Sequence, residues 1–172
     1  MKNILIALKL LLILTVLTGL VYPAVITLAA QLAFNRQANG DPALIGQRFD
    51  RPGYFWSRPA GVSNLSATSR KLQAAVTQRK AALLLADPTK NEKQIPSDLI
   101  YASGSGVDPE ISLAAAVFQA ERVARERKIA KNDILGLIKR TMAGRDLLVF
   151  GEKRVNVLKL NILLDNLAAG KD

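Results

Sequence analysis

The longest unbroken apolar pattern along the chain is residues 10–34, LLLILTVLTGLVYPAVITLAAQLAF, which holds no charged side chain. A helix of that length crosses the ~30 Å hydrocarbon of a bilayer. In lipid a backbone must satisfy its own hydrogen bonds, so the run predicts one transmembrane helix. Gly19 and Pro23 interrupt it, and Pro23, with no N–H, frees one carbonyl and can kink the helix. A cleaved signal peptide competes with this reading, since Lys2 and Lys9 supply a basic start and Thr27-Leu28-Ala29 a small-residue site. The run is longer than the ~7–15 apolar residues such peptides use. A buried helix of a soluble core fits less well, because the run is apolar on every face. The expected organisation is a membrane anchor over residues 1–34 and one soluble domain over 35–172.

Past the anchor the pattern breaks into short elements. Asn39-Gly40 and Asp41-Pro42 mark a turn-rich exit over residues 35–42. Residues 43–49 and 54–56 read as short strands separated by the turn Asp50-Arg51-Pro52-Gly53. Ser66 or Thr68 can cap a helix to about Ala86, with Leu72, Ala75, Val76, Ala82 and Leu83 near one face. Asp87-Pro88 stops it. Residues 96–101 fit a helical turn or a strand. Asp108 followed by Pro109 predicts an N-cap and first helical residue for a helix through Arg127. Its narrow face would be Ala116, Val117, Ala120, Val123 and Ala124. Asn132 or Asp133 caps a further helix ending near Gly144, residues 147–150 read as a buried strand, and Asn156 caps a last helix carrying Leu160, Leu163, Leu164 and Leu167. Alternation over residues 155–162 also fits a strand there. The fold class expected is α+β, with short strands and three to four helices.

Composition narrows the chemistry. With no histidine and no cysteine in 172 residues, Ser-His-Asp, Cys-His, disulfide and His-based metal chemistry are all excluded. The net charge of +10 would suggest nucleic acid on a cytosolic protein. Behind a membrane helix preceded by lysines, the body is instead expected outside the cytoplasm, facing anionic lipid or an acidic partner. No metal and no nucleic acid is expected.

One stretch resembles a phosphate cradle: Ser103, Gly104, Ser105 and Gly106 form a turn ahead of the predicted helix, and helix N-termini bind anions. No Gly-Lys-Ser/Thr follows, and Asp108 and Glu110 place negative charge where phosphate would sit, so a tight structural turn is the first reading. A Ser–Lys dyad is the one catalytic arrangement the composition leaves open. Every serine, however, sits in an ordinary loop or cap context, so catalysis is not expected and no catalytic residue is assigned.

Several segments in fixed order carry a family resemblance: Thr18-Gly19-Leu20-Val21-Tyr22-Pro23, Gln37-Ala38-Asn39-Gly40, Leu44-Ile45-Gly46-Gln47-Arg48-Phe49, Tyr54-Phe55-Trp56-Ser57-Arg58-Pro59, Ser63-Asn64-Leu65, Ala102-Ser103-Gly104-Ser105-Gly106-Val107-Asp108-Pro109, Gln119, Arg122-Val123-Ala124, and Val155-Asn156-Val157-Leu158-Lys159-Leu160-Asn161. Together they resemble the C subunits of Kdp-type potassium-transporting ATPases, the KdpC family. The loops between Pro59 and Ser63 and between Gly40 and Leu44 are shorter than the family's, and Leu113 stands where a proline is common. The resemblance implies a complex in which a potassium-channel-like subunit conducts the ion, a P-type ATPase subunit hydrolyses ATP, and a small peptide subunit helps hold them. It implies that this chain has no active site, binds ATP only through its partner, and acts as a catalytic chaperone raising nucleotide affinity. It also implies an inner-membrane location. Gly19, Pro23, Asp108, Gln119 and Asn156 are the structural or interface residues expected. A membrane-tethered hydrolase of Ser–Lys type is the alternative.

Overall fold

The computed structural model describes residues 2–34, 40–145 and 149–170. The chain divides into two compact units, Met1–Pro42 and Ala43–Asp172.

The first unit is one long helix, α1, Lys2–Ala33, none of it buried. It starts earlier than the uncharged run and takes in Lys9. Its middle departs from α geometry: Lys2–Val16 and Tyr22–Ala33 are α-helical, and Leu17–Val21 is a π-helical turn. Pro23 is the cause legible in the sequence, since it has no N–H to continue the ladder and π-turns accommodate such interruptions. The Tyr22 N–H accordingly reaches back five residues to the Leu17 carbonyl.

The second unit is α+β. Its helices are α2 (Arg70–Ala86), α3 (Leu113–Arg127), α4 (Lys131–Thr141) and α5 (Val157–Ala168). Three short strands, β1 (Glu110–Ser112), β2 (Met142–Ala143) and β3 (Arg154–Asn156), form an antiparallel sheet in the order β1-β3-β2. Ile111 and Met142 both pair with Val155. The core lies where α3 packs on α4, α4 on α5, and all three meet β3. Ala115, Ala116, Ala120 and Val123 on α3, Ile134 and Ile138 on α4, and Leu160 and Leu164 on α5 are buried around Phe55 and Val155. The small α3 face permits that close approach.

Several expected elements take a different form. Residues 43–49 and 54–56 are not strands: Pro42–Leu44 is a 3-10 turn, and the rest is irregular. Asp108 does not cap α3. The chain first makes β1, and Ser112 is the N-cap, its Oγ accepting the Ala115 N–H at 3.0 Å. Asp98 in turn accepts the Ser112 N–H at 2.6 Å. Pairing of Glu110–Ser112 with β3 outcompetes a helix start at Pro109 because it satisfies a sheet edge that the local sequence cannot see. Leu113 then occupies the first helical position, where a proline would be tolerated.

Elsewhere the differences are smaller. Helix α2 begins at Arg70 behind Ser69, later than caps at Ser66 or Thr68 would put it, and buries only Leu83. Ala130 holds the N-cap position of α4, placing Asn132 and Asp133 in its first turn, and the helix ends at Thr141. Residues 96–101 contain a 3-10 turn, Ser97–Leu99. Of the expected strand 147–150, Leu147 and Leu148 lie outside the described residues, and Val149 and Phe150 are exposed. Asn156 ends β3 and caps α5, its Oδ1 accepting the Lys159 N–H at 3.0 Å, so both alternatives at residues 155–162 hold in part.

Candidate functional site

The irregular segment 51–56 is held by side chains, not by a neighbouring strand. Asn161 on α5 accepts the Phe55 N–H at 2.9 Å and donates to the Phe55 carbonyl at 3.0 Å. Gln119 on α3 does the same for Trp56, at 2.8 and 3.1 Å. Each carboxamide thus presents the donor–acceptor pair that a strand neighbour would have presented.

Arg122, one turn on from Gln119, donates to Gln119 Oε1 at 2.7 Å and to the Pro52 carbonyl, and lies 4.2 Å from the centroid of the Trp56 ring. Burial lowers its pKa to about 10. Arg127 donates to the Gly53 carbonyl at 2.8 Å, pairs with Asp165 at 2.7 Å and covers the Tyr54 ring at 4.3 Å. Desolvation opposes its charge, yet the bonds to Asp165 and Tyr54 raise its pKa on balance. The leucine periodicity that marks α5 leaves Asp165 unassigned. Its signal is the i, i+4 spacing of Asn161 and Asp165, on a helix whose other polar residues are Lys159 and Asn166.

A second cluster joins three loops distant in sequence. The Gly46 N–H donates to the Val107 carbonyl at 2.6 Å and the Gly61 N–H to the Gly106 carbonyl at 3.0 Å. Both contacts need glycine. A Cβ on Gly46 would lie 2.7 Å from the Asp108 carbonyl oxygen, and Gly106, at φ +71°, would put one 2.6 Å from the Gly61 carbonyl carbon. Arg58 pairs with Asp108 at 3.3 Å, while its Nε is buried without a partner. Beside them a cleft of about 590 Å³ is lined by Arg58, Asp98, Asp108, Glu110, Lys153 and Arg154, among others.

The turn Ser103, Gly104, Ser105, Gly106 belongs to this cluster and has no helix N-terminus behind it, since β1 follows. Its hydroxyls face its own backbone: Ser103 Oγ accepts the Gly106 N–H at 3.0 Å and the Asp108 N–H at 3.4 Å, and Ser105 Oγ accepts the Val107 N–H at 3.3 Å. Asp108 accepts the Glu110 N–H at 2.9 Å. Asn156, besides capping α5, donates to the Ala43 carbonyl at 2.6 Å and so anchors the first loop to the core. Gly19 has nothing within 4 Å of where a Cβ would sit. Pro23 follows the π-turn. Residues 37–39 of the Gln37-Gly40 segment lie outside the described residues. Among the described residues no group of three or more acidic side chains is gathered to hold a metal ion.

Within the second unit, the segments at residues 44–49, 54–59, 102–109, 119–124 and 155–161 that carry the resemblance meet at the 51–56 strap and the three-loop cluster. A family model described as K+-transporting ATPase, c chain, KdpC, matches residues 4–166. The chain belongs to the KdpC family. It is similar to the potassium-transporting ATPase KdpC subunit of Paraburkholderia phytofirmans, at 45% identity over 92% of this chain and 93% of the relative. The KdpC subunit of Methylococcus capsulatus is 45% identical over 94% and 96%, and that of Herpetosiphon aurantiacus 43% identical over 94% of each. Family members are named as subunits of a potassium-transporting ATPase, and the one long apolar helix among the described residues fits a single-pass membrane protein.

Proposed function

We propose that this chain is a non-catalytic accessory subunit of an ATP-driven potassium uptake complex. It stabilises assembly with a potassium-channel-like subunit, a P-type ATPase subunit and a small peptide subunit, and raises the nucleotide affinity of the P-type ATPase subunit indirectly. Potassium is the cargo of the complex, and ATP belongs to the partner. The chain is anchored in the inner membrane with its N-terminus in the cytoplasm and its body outside, as Lys2 and Lys9 before the apolar run favour.

The observation that carries the indirect reading is the inward-facing Ser103–Asp108 turn. Its hydroxyls already accept three of its own N–H groups, and a cradle needs those N–H groups turned toward phosphate. A body that binds one conformation of the P-type ATPase subunit more tightly changes nucleotide affinity by linkage without touching nucleotide. The Ser–Lys hydrolase reading is disfavoured by the serine partners: Ser57 donates to the Gln47 carbonyl, Ser112 bonds Asp98, and Ser103 and Ser105 bond their own turn.

The test is photo-crosslinking with a nucleotide analogue in sealed, oriented vesicles, supplied only on the ATPase side. Label is expected on the P-type ATPase subunit alone. Label on residues 103–110 would overturn both the indirect mechanism and the orientation. Protease outside spheroplasts should digest the body; a body protected until the membrane is broken would overturn the orientation by itself.

A further inference from the structure

The loop joining β2 to β3 carries apolar side chains that the fold does not bury. Residues 147–150 have the composition of a buried strand, yet Val149 is 69% exposed and Phe150 65%. Pairing between the two strands ends at Ala143 and Arg154, so both residues lie beyond the paired end of the hairpin. An exposed aliphatic side chain beside an exposed aromatic one is apolar area left for a second surface to cover.

The same loop is rimmed by cations. Residues 139–154 contain five lysines and arginines against two acids, Asp146 and Glu152. Lys139, Arg145 and Lys153 are exposed, and their side chains enter no ion pair among the described residues. Lys80, Lys90, Arg125, Arg127 and Lys131, elsewhere on the body, each hold a carboxylate. The centre of a protein interface is depleted in charge. Apolar side chains beside unpaired lysine and arginine suit an anionic membrane surface, where the apolar groups enter the acyl boundary and the cations meet lipid phosphates. Such a surface is close at hand. The linker between the apolar helix and the body is only residues 35–42, so a bilayer crossed by α1 meets the body at high local concentration. A contact too weak to hold a free domain is populated on a tethered one.

We infer that Val149 and Phe150 enter the headgroup boundary of the bilayer, with Arg145 and Lys153 on the phosphates of anionic lipids, giving the body a second membrane contact besides α1. The inference rests on the reading of α1 as a membrane anchor. Charge complementarity selects lipid over protein.

The chain has no cysteine, so one introduced thiol takes one probe. Full-length chain carrying Phe150→Cys, or separately Val149→Cys, is labelled with an environment-sensitive fluorophore and reconstituted in phosphatidylcholine vesicles with and without phosphatidylglycerol. Leu85→Cys, at a site 83% exposed on α2, is the control. Lipids bearing a quencher at the headgroup boundary should quench the labels at residues 149 and 150, severalfold more with phosphatidylglycerol than without, and leave the label at residue 85 unquenched. Arg145→Gln and Lys153→Gln should each lower the docked-to-undocked ratio roughly fivefold, with thermal unfolding of the chain unchanged. Phe150→Ser should lower quenching of the label at residue 149 severalfold. Quenching at residues 149 and 150 no greater than at residue 85 would overturn the inference, as would quenching indifferent to phosphatidylglycerol and to both glutamine substitutions. In whole cells, a photo-crosslinking residue at Val149 in the intact complex should give a lipid adduct. An adduct to another ATPase subunit, an adduct to a second copy of this chain, or no adduct would overturn it. Alkaline carbonate extraction tests the anchor separately. A chain released from the membrane fails the anchor reading, whereas a chain retained without quenching at residue 150 fails only the second contact.

Discussion

The Asn161 carboxamide bonds both main-chain groups of Phe55, a residue with no exposed surface, across 106 positions of sequence. Removing it leaves a buried N–H and a buried carbonyl together. Each orphaned group costs about 1–3 kcal/mol. Asn161→Ala should therefore destabilise the body by about 2–5 kcal/mol. Trp56 is the only tryptophan and sits on the next residue, so its fluorescence in denaturant titrations of the full chain reports the loss directly. Asn161→Asp keeps an acceptor for the Phe55 N–H and loses the donor, and should likewise be destabilised. An unchanged midpoint in Asn161→Ala would show that the strap is held without the amide.

Gly104 and Gly106 sit two residues apart in one turn and should respond oppositely to alanine. Nothing lies within 4 Å of a Cβ on Gly104, while one on Gly106 meets the Gly61 backbone at 2.6 Å with φ at +71°. Gly104→Ala should be neutral to within about 0.5 kcal/mol, and Gly106→Ala should cost about 1–3 kcal/mol. A phosphate-binding turn would instead show both substitutions weakening nucleotide affinity in the assembled complex with stability intact.

Asp87 closes α2 almost fully buried, its carboxylate 3.2 Å from Arg125. Burial by itself raises its pKa, but the hydrogen bonds from Thr89 and Arg125 and the charge of Arg125 together hold it below the usual 3.8. A depressed folded-state pKa stabilises the fold above the unfolded value, and that stability is lost as pH falls through the folded value. Asp87→Asn should remove this part of the acid dependence. Unfolding free energy of wild type minus Asp87→Asn should be flat near neutrality and fall below about pH 4. A difference that is flat down to about pH 2 would show that the carboxylate titrates alike in both states. Glu92 and Glu121 are shifted the same way by Lys80 and Lys131, so only the difference between the two proteins isolates Asp87.

In α1 the Tyr22 N–H goes to Leu17, and Pro23 has none to give, so the Thr18 carbonyl lacks the donors four and five residues on. An unpaired carbonyl in hydrocarbon costs several kcal/mol, and a neighbouring helix can supply the donor. Pro23→Ala completes the ladder. It should insert normally and recover the partner subunits severalfold less well. Gly19→Leu should loosen the complex in the same assay, by closing the open face at residue 19. Full assembly and transport with a poly-leucine tether would reduce α1 to an anchor.

What was legible in the sequence is what neighbours along the chain decide. The membrane helix follows from an uncharged run with few alternatives, and its irregular turn from Pro23. Asn156 capping α5, the stop at Asp87-Pro88 and the helical faces of Ala116, Ala120, Ile134, Ile138, Leu160 and Leu164 are likewise local, because caps, prolines and 3.6-residue periodicity act within a turn or two.

Tertiary structure decided the rest. Residues 54–56 look like a strand because they are aromatic, yet their hydrogen-bond partners are the side chains of Gln119 and Asn161, which no local pattern can announce. Asp108-Pro109 carries a strong helix-start signal, and β3, far later in the chain, claims residues 110–112 as its partner instead. Ser103–Gly106 looks like a cradle until the loops at Gly46 and Gly61 close on it. In each case the backbone groups had to be satisfied, and only the folded chain determined by what: a local sequence specifies which bonds a segment can make, and long-range packing specifies which partner is within reach.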